Sequence, residues 1–443
     1  MPGWRDNGPV LAASWPAAAE AGRLLQALGA SVRSRPSSAA ALTQGHRVVT
    51  ASPTTSAQDW AGSGAMAITG ERGSTVVRVD GAPATLARAA ALAFELLTGV
   101  SVDGPGLLGE RAAVLGLSGG GRVSAGGGSR VLAADQGWWA LNLARDHDLV
   151  AALVESETEL RAGPVWAAVE EWSSRQDASA AVARARLLGL AAGRLGETPA
   201  PPAPWRVADA PAHKRTVRPR PLVVNLGALW AAPLTGHLLG LAGAQIVDVE
   251  SARRPDPGRV STPEFYRLLH GGHELLRIDF DQPGTLSRLL ADADIVIEAS
   301  RPRALLALGV NAGAIMADGR ARTWLRITGH RAGNRIAFGD DAAVAGGLVA
   351  WTEAVPVFAG DAIADPLTGQ LGALAIVAHY SRSRAAIIDI ALAVVAAYAR
   401  SLAPDGLPRP RSRAASEPVT GQQYALPHVA ARLVDDSVAA FRN

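Results

Sequence analysis

The 443-residue sequence predicts an α/β fold, with a large parallel-sheet domain, a smaller α/β domain and an abbreviated N-terminal repeat of the large domain. Three observations lead there. Apolar runs of strand length alternate with helical segments through the second half. A proline-dense stretch divides the chain near its middle, and a pattern of glycine and leucine in the first half recurs in the second.

In the second half, residues 222–226 are an apolar run of strand length, 233–242 a helix and 245–250 a second strand. Further strands are expected at 275–280, 295–298 and 323–327, with a helix at 284–291. Such alternation makes the strands parallel and covers both faces of the sheet with helices. The unit 223–250 reads as a Rossmann-like βαβ, with Glu250 ending the second strand where a ribose-binding acid would sit. The turn after the first strand, NLGALWAAP, has no G-x-G-x-x-G, which weighs against a nicotinamide enzyme.

In the first half, helices are expected at 17–28, 86–97 and 165–173, and a strand at 138–143. Gly22, Leu24, Leu25, Gly29, Ala30 and Val32 match Gly236, Leu238, Leu239, Gly243, Ala244 and Ile246 at one constant spacing. Residues 59–64 match 341–346 at a larger spacing, so the first copy is the shorter. The prolines of 197–221 cannot continue a helix or a central strand. The expected divisions are an abbreviated large-domain repeat over 1–106, a small domain over 107–196, a Pro-rich linker over 197–220, the large domain over 221–400 and a tail over 401–443. The tail is expected to carry one helix near 429–441.

A hydrophobic fraction of 48% with 19% charged residues excludes wholesale disorder. The absence of cysteine excludes disulfides, thiolate-bound zinc, iron–sulfur clusters and a cysteine nucleophile. The formal charge is +3, and Lys214 is the only lysine. The basic cluster His213, Lys214, Arg215, Arg218 and Arg220 lies among prolines and reads as a solvated linker, with no nucleic-acid partner expected. The start MPGWRDNGPV lacks the charged-then-apolar pattern of a secretion signal, and no apolar run of about 18 residues is unbroken. The expectation is a soluble cytoplasmic protein without a membrane partner.

Nine histidines are scattered and none forms an H-x-x-x-H pair, so no metal is expected. His270 and His273, flanking two glycines, read as exposed loop residues. The run 118–130, SGGGRVSAGGGSR, reads either as a phosphate cradle of backbone amides or as a flexible loop, and it lacks a P-loop lysine. Asp361 and Asp365 stand in AGDAIADPLTGQLGALAIV, before a helix with Leu367, Leu371 and Leu374 on one face. Asp365 followed by Pro366 reads as an N-cap with proline at the first helical position. A helix N-terminus also stabilises a carboxylate and supplies free amides for an anionic intermediate. Both readings stand on the residues alone. With a reference pKa near ~3.9, the carboxylate is expected to be ionised at neutral pH.

Four stretches occur in the order found in a known family: LVVNLGALWAAPLTGHLLGLAGAQIVDVES, FYRLLHGGHELLRIDFDQPGTLSRLLADADIVIEASRPRALLALGV, RITGHRAGNRIAFGDDAAVAGG and GDAIADPLTGQLGAL. From residue 221 to about 400 the chain resembles the family III CoA-transferases. This CaiB/BaiF group includes formyl-CoA and carnitine CoA-transferases and the α-methylacyl-CoA racemases. In the first half, WAGSGAMAITG resembles the family's large domain, and SAGGGSRVLAADQGWWALNLAR and VWAAVEEW its small domain.

The resemblance implies an acyl-CoA:carboxylate CoA-transferase with Asp365 as covalent nucleophile, coenzyme A entering as the acyl-CoA substrate and no metal. It implies CoA contacts from Trp230, Ala231, Arg301, Arg303 and Arg335, and a glycine-rich loop over the site at Gly126, Gly127 and Gly128. The first copy carries Ala82 where the second has Asp365, with Asp80 nearby. Family members form interlocked homodimers, so two copies in one chain are expected to reproduce that pairing internally, or to pair with a second chain. Members commonly have lysine where this chain has Asp248, and an N-x-G-K turn where it has His270 to His273. The racemases carry histidine where this chain has Asp340, which favours transfer over epimerisation. The rival readings are a non-catalytic acyl-CoA-binding or partner subunit and a 2-methylacyl-CoA racemase.

Overall fold

The computed structural model describes residues 8–36, 40–71, 78–143, 150–154, 165–210, 217–251, 253–280, 284–318, 323–331, 334–380 and 385–403. The helix expected near 429–441 and the basic residues His213, Lys214 and Arg215 lie outside them.

The N-terminal sheet consists of β1 (Val10–Ala13), β2 (Val32–Arg35), β3 (Ala40–Gln44) and β4 (Arg47–Thr50), in the order β2-β1-β3-β4. Strands β1 and β2 are parallel and joined by the helix Pro16–Ala27, while β3 and β4 form an antiparallel hairpin. A short strand β5 (Arg78–Val79) follows, then β6 (Ser129–Ala133), β7 (Trp138–Asn142) and β8 (Ala191–Arg194), which make a three-stranded antiparallel sheet. The helices Val165–Ser174 and Ala178–Leu187 accompany that sheet, and Trp139, Leu141, Val169, Trp172 and Val182 pack into one buried cluster with it.

The second half is ordered around a seven-stranded sheet. Its strands are β9 (Trp205–Ala210), β10 (Leu222–Asn225), β11 (Gln245–Ser251), β12 (Glu274–Ile278), β13 (Ile295–Glu298), β14 (Thr323–Thr328) and β17 (Ala385–Ala391). Between the last two, β15 (Val349–Thr352) and β16 (Val355–Phe358) form a hairpin that pairs with β5. The sheet order is β12-β11-β10-β13-β14-β17-β9, all parallel except the edge strand β9. Without β9 this is the doubly wound order 3-2-1-4-5-6, with its switch point between β10 and β13. The central strands are largely apolar, and all four residues of β13 are buried, because helices cover both faces. Strand β9 corrects the reading of 197–220 as linker alone. Its six residues are free of proline, and an edge strand tolerates prolines before and after it.

The internal repeat has a physical counterpart. Gly22 faces Val32 across the first βαβ unit, and Gly236 faces Ile246 across the second. A methyl group added at either would lie 3.2 or 3.5 Å from that strand side chain. At Gly22 the methyl would also come 2.9 Å from the Ala12 Cβ, so glycine permits the close approach there, whereas at Gly236 the contact would be an ordinary one. After the second strand the two βαβ units differ: β1 and β2 are followed by the antiparallel β3–β4 hairpin, β10 and β11 by the parallel strands β12 to β14. The halves are in direct contact: Val131 and Ala140 pack with Val344, Val349 and Phe358, and Gly193 of β8 abuts the helix Gly339–Gly346. Among the described residues no helix is long and apolar enough to cross a membrane.

Candidate active site

The hairpin β15–β16 delivers the chain into the turn 359–363, which precedes the long helix Ala364–Tyr380. Ala362 holds a left-handed φ of 41°, a conformation that costs a non-glycine residue about 1–2 kcal/mol. The surroundings hold it there: its N–H donates to Asp340 Oδ1 at 2.9 Å, and its carbonyl accepts from the Asp365 N–H at 2.8 Å. This turn sends Asp361 inward and starts the helix at Ala364. Asp365 therefore stands within the first turn and is not the N-cap that Asp-Pro suggests. Its Oδ2 reaches away from its own helix to accept the Gly339 N–H at 3.1 Å. A methyl group at Gly339 would come within 2.4 Å of that oxygen, so only glycine admits the carboxylate there.

Arg111, which sequence reasoning missed, joins the first half to this site. It lies on the helix Glu110–Leu115, and its Nε and Nη2 donate to Asp361 Oδ2 and Oδ1, both at 2.7 Å. The guanidinium also sits over the Trp230 ring at 5.1 Å, and Trp230 meets Phe265 edge-on at 5.1 Å. Gly126 lies against the same arginine, since a methyl added there would be 3.0 Å from Arg111 Nη2. Asp340, Asp361, Asp365, Arg111, Trp230, Gly126 and Gly339 are thus brought to one place. The loop holding Gly126 is a formed turn, in which the Gly127 N–H donates to the Ser124 carbonyl at 2.8 Å.

Three carboxylates beside one arginine leave negative charge in excess. Burial pushes the Asp365 carboxyl up to about 7, with Arg111 and the Gly339 N–H pulling it down and Asp340 and Asp361 pushing it further up. The expectation of full ionisation at neutral pH is corrected accordingly: the helix N-terminus does not offset burial among like charges. Burial likewise raises Asp340 to about 6, helped by Asp361 and opposed by Arg111 and the Ala362 N–H. Asp365 is half-buried and keeps part of its surface open.

The position matched to Asp365 in the first half carries no carboxylate. Ala82 precedes the helix Pro83–Thr98 and borders a cavity of about 280 Å³, also lined by Pro16, Glu20 and Thr85. Nearby Asp80 is engaged elsewhere, accepting the Trp351 indole N–H at 2.8 Å.

The arginines expected to meet CoA are less gathered. Arg301 and Arg303 stand exposed around the start of the helix Pro302–Ala307, beyond the end of β13. Arg335 is paired with Glu197 at 2.5 Å and donates to the Ala192 carbonyl. Trp230 and Ala231 are buried where β10 turns into the helix Ala231–Leu241, beside the switch point.

His270 and His273 are not exposed loop residues, and their side chains are each 5% exposed. Both direct Nδ1 at Asp248 Oδ2, at 2.6 and 2.8 Å. Asp248 sits inside β11, where a buried carboxylate needs partners, and the glycine turn folds the histidines back onto it. Among the described residues, this is the one group with the spacing of metal ligands, against the sequence expectation of none.

Residues 221–430 match the family model of CoA-transferase family III. Among curated proteins, succinyl-CoA–D-citramalate CoA-transferase of Chloroflexus aurantiacus is 29% identical over 199 residues, covering 39% of this chain and 50% of that protein. The chain thus spans about half the length of that curated relative. Among solved structures, a hypothetical protein of Mycobacterium tuberculosis aligns at 22% identity and a TM-score of 0.36, over 40% of this chain and 54% of the other. A CAIB/BAIF family protein of Brucella suis aligns at 24% identity and 0.37, over 40% and 53%. The order of the sequence stretches and the family match agree: residues 221–430 are similar to CoA-transferase family III.

Proposed function

We propose that the protein transfers coenzyme A from an acyl-CoA to a free carboxylate, with Asp365 as covalent nucleophile. The observation that carries this reading is the placement of Asp365: its carboxylate is half-buried, partly open, held by one backbone N–H and faced by groups from both halves of the chain. In the first step a carboxylate oxygen of Asp365 attacks the thioester carbonyl. The C–S bond breaks, giving a mixed anhydride and CoA thiolate. The thiolate then attacks the aspartyl carbonyl, releasing the donor acid and leaving an aspartyl thioester. The acceptor carboxylate attacks that carbonyl, forming a second anhydride and freeing the thiolate, which takes the acceptor's acyl carbon and restores Asp365.

The Gly339 N–H, which now holds Oδ2, is placed to stabilise the oxyanion formed at each attack on the aspartyl carbonyl. Arg111, anchored on Asp361, supplies the nearest positive charge and keeps the carboxylate titratable near neutrality. The segment 107–196 serves as the cap of this site, so one chain provides both sides of a pairing that the family makes between subunits. Light scattering tests that assembly, and a monomeric mass is expected. Succinyl-CoA, the donor named for the curated relative, is the first probe of activity. Exchange of labelled succinate into succinyl-CoA is expected, and its absence with succinyl-CoA and with a panel of other acyl-CoAs, each paired with its own acid, would favour the non-catalytic reading.

A further inference from the structure

We infer that Asp248, His270 and His273 form a binding site for one divalent metal ion of the zinc class. Three elements converge there: Asp248 from the middle of β11, His270 from the last turn of the helix Pro263–His270, and His273 from the residue before β12. The three ligand atoms lie within 4.8 Å of one another, and each side chain is 5% exposed. One carboxylate oxygen and two imidazole nitrogens, with no thiolate, make a donor set suited to zinc and its neighbours and leave one coordination position for water.

The outer partners of such a site are also in place. Asp248 Oδ1 accepts from Asn225 Nδ2 at 2.8 Å, which leaves Oδ2 for the ion. His270 turns Nδ1 toward the site, while its buried Nε2 has no hydrogen-bond partner and points toward Asp256 Oδ2 at 3.9 Å. A small rotation makes Nε2–H a donor to Asp256, the arrangement in which a carboxylate orients a metal-bound histidine. Asp256 is itself held by the N–H groups of Leu229 and Gly258. The His273 ring lies beside Gly236 and Gly240, where a methyl group would be 3.7 Å from it. Without an ion, one oxygen accepts from both Nδ1 atoms. With metal–ligand distances of about 2.0–2.2 Å, the donors need to separate by only about half an ångström, and each ring frees Nδ1 by carrying its proton on Nε2, a doubly protonated ring giving up the second proton to solvent.

The test uses the full chain freed of metal by chelation and titrated with zinc, then with cobalt as a spectroscopic probe. One equivalent of zinc is expected, with a rise in thermal midpoint, and cobalt is expected to give the intense visible bands of a four-coordinate site. His270→Gln and His273→Gln, which keep an amide donor to Asp248, are each expected to weaken binding by more than about hundredfold, and Asp256→Asn by about tenfold. Circular dichroism checks that each variant is folded. Failure of the unmodified protein to take up zinc, or stoichiometric uptake by the folded His270→Gln/His273→Gln double variant, overturns the assignment.

Discussion

Replacing Asp365 by asparagine separates a catalytic carboxylate from a structural one. With its pKa at about 7 when folded and near ~3.9 when unfolded, the side chain keeps a proton in the native state that the unfolded chain has lost between these values. Stability from this group is therefore fully present below about pH 4 and lost as pH rises through 7, at up to ~1.4 kcal/mol per pH unit. The accumulated loss by pH 8 is at most on the order of 4 kcal/mol, and smaller to the extent that water reaches the half-buried carboxylate. Asparagine keeps an acceptor for the Gly339 N–H and carries no charge. Asp365→Asn should match wild type near pH 4 and exceed it at pH 8 by one to several kcal/mol (order of magnitude), while CoA-transfer activity falls by about three orders of magnitude or more. Urea denaturation at intervals from pH 4 to 8 measures the difference. Equal pH slopes for the two proteins, or a variant less stable at pH 8, would refute the argument that burial among like charges sets the Asp365 pKa.

Arg111→Ala leaves Asp361 buried without its partner and should destabilise the fold by about 3–5 kcal/mol, read as a lower urea midpoint; Arg111→Lys should recover part of this and not the bidentate geometry. The acid limb of kcat/KM should fall tenfold per pH unit below about 7, because the active form is the carboxylate, and should move to higher pH in folded Arg111→Ala, which removes the positive charge. Gly339→Ala places a methyl group against Asp365 Oδ2 and the Ala362 carbonyl, so activity should drop at least about hundredfold with a stability loss of about 1–3 kcal/mol.

Much of the fold was legible because central parallel strands are rich in consecutive apolar residues: LVV of β10, IVI of β13 and WL of β14 mark them. Asp365 was legible through its ordered neighbours. Arg111 was not, since it pairs with an aspartate 250 residues away and no local pattern marks it. The arginines that the resemblance marks lie in the second half, whereas the site draws its positive charge from the first. The histidines read as exposed for a similar reason: the two glycines between them signal a surface turn, and only the tertiary fold shows that the turn closes on Asp248. The β3–β4 hairpin escaped because the repeat suggested a shortened parallel sheet in its place.

Trapping the covalent intermediate tests the central claim most directly. The protein is incubated with succinyl-CoA, or with whichever acyl-CoA supports exchange, and quenched with hydroxylamine, which converts an aspartyl anhydride or thioester into a hydroxamate; the modified peptide is then mapped by mass spectrometry. The account predicts a hydroxamate on Asp365, dependent on acyl-CoA and absent from Asp365→Asn. Modification at Asp340 or Asp361 instead, or turnover with no modified aspartate, would contradict it.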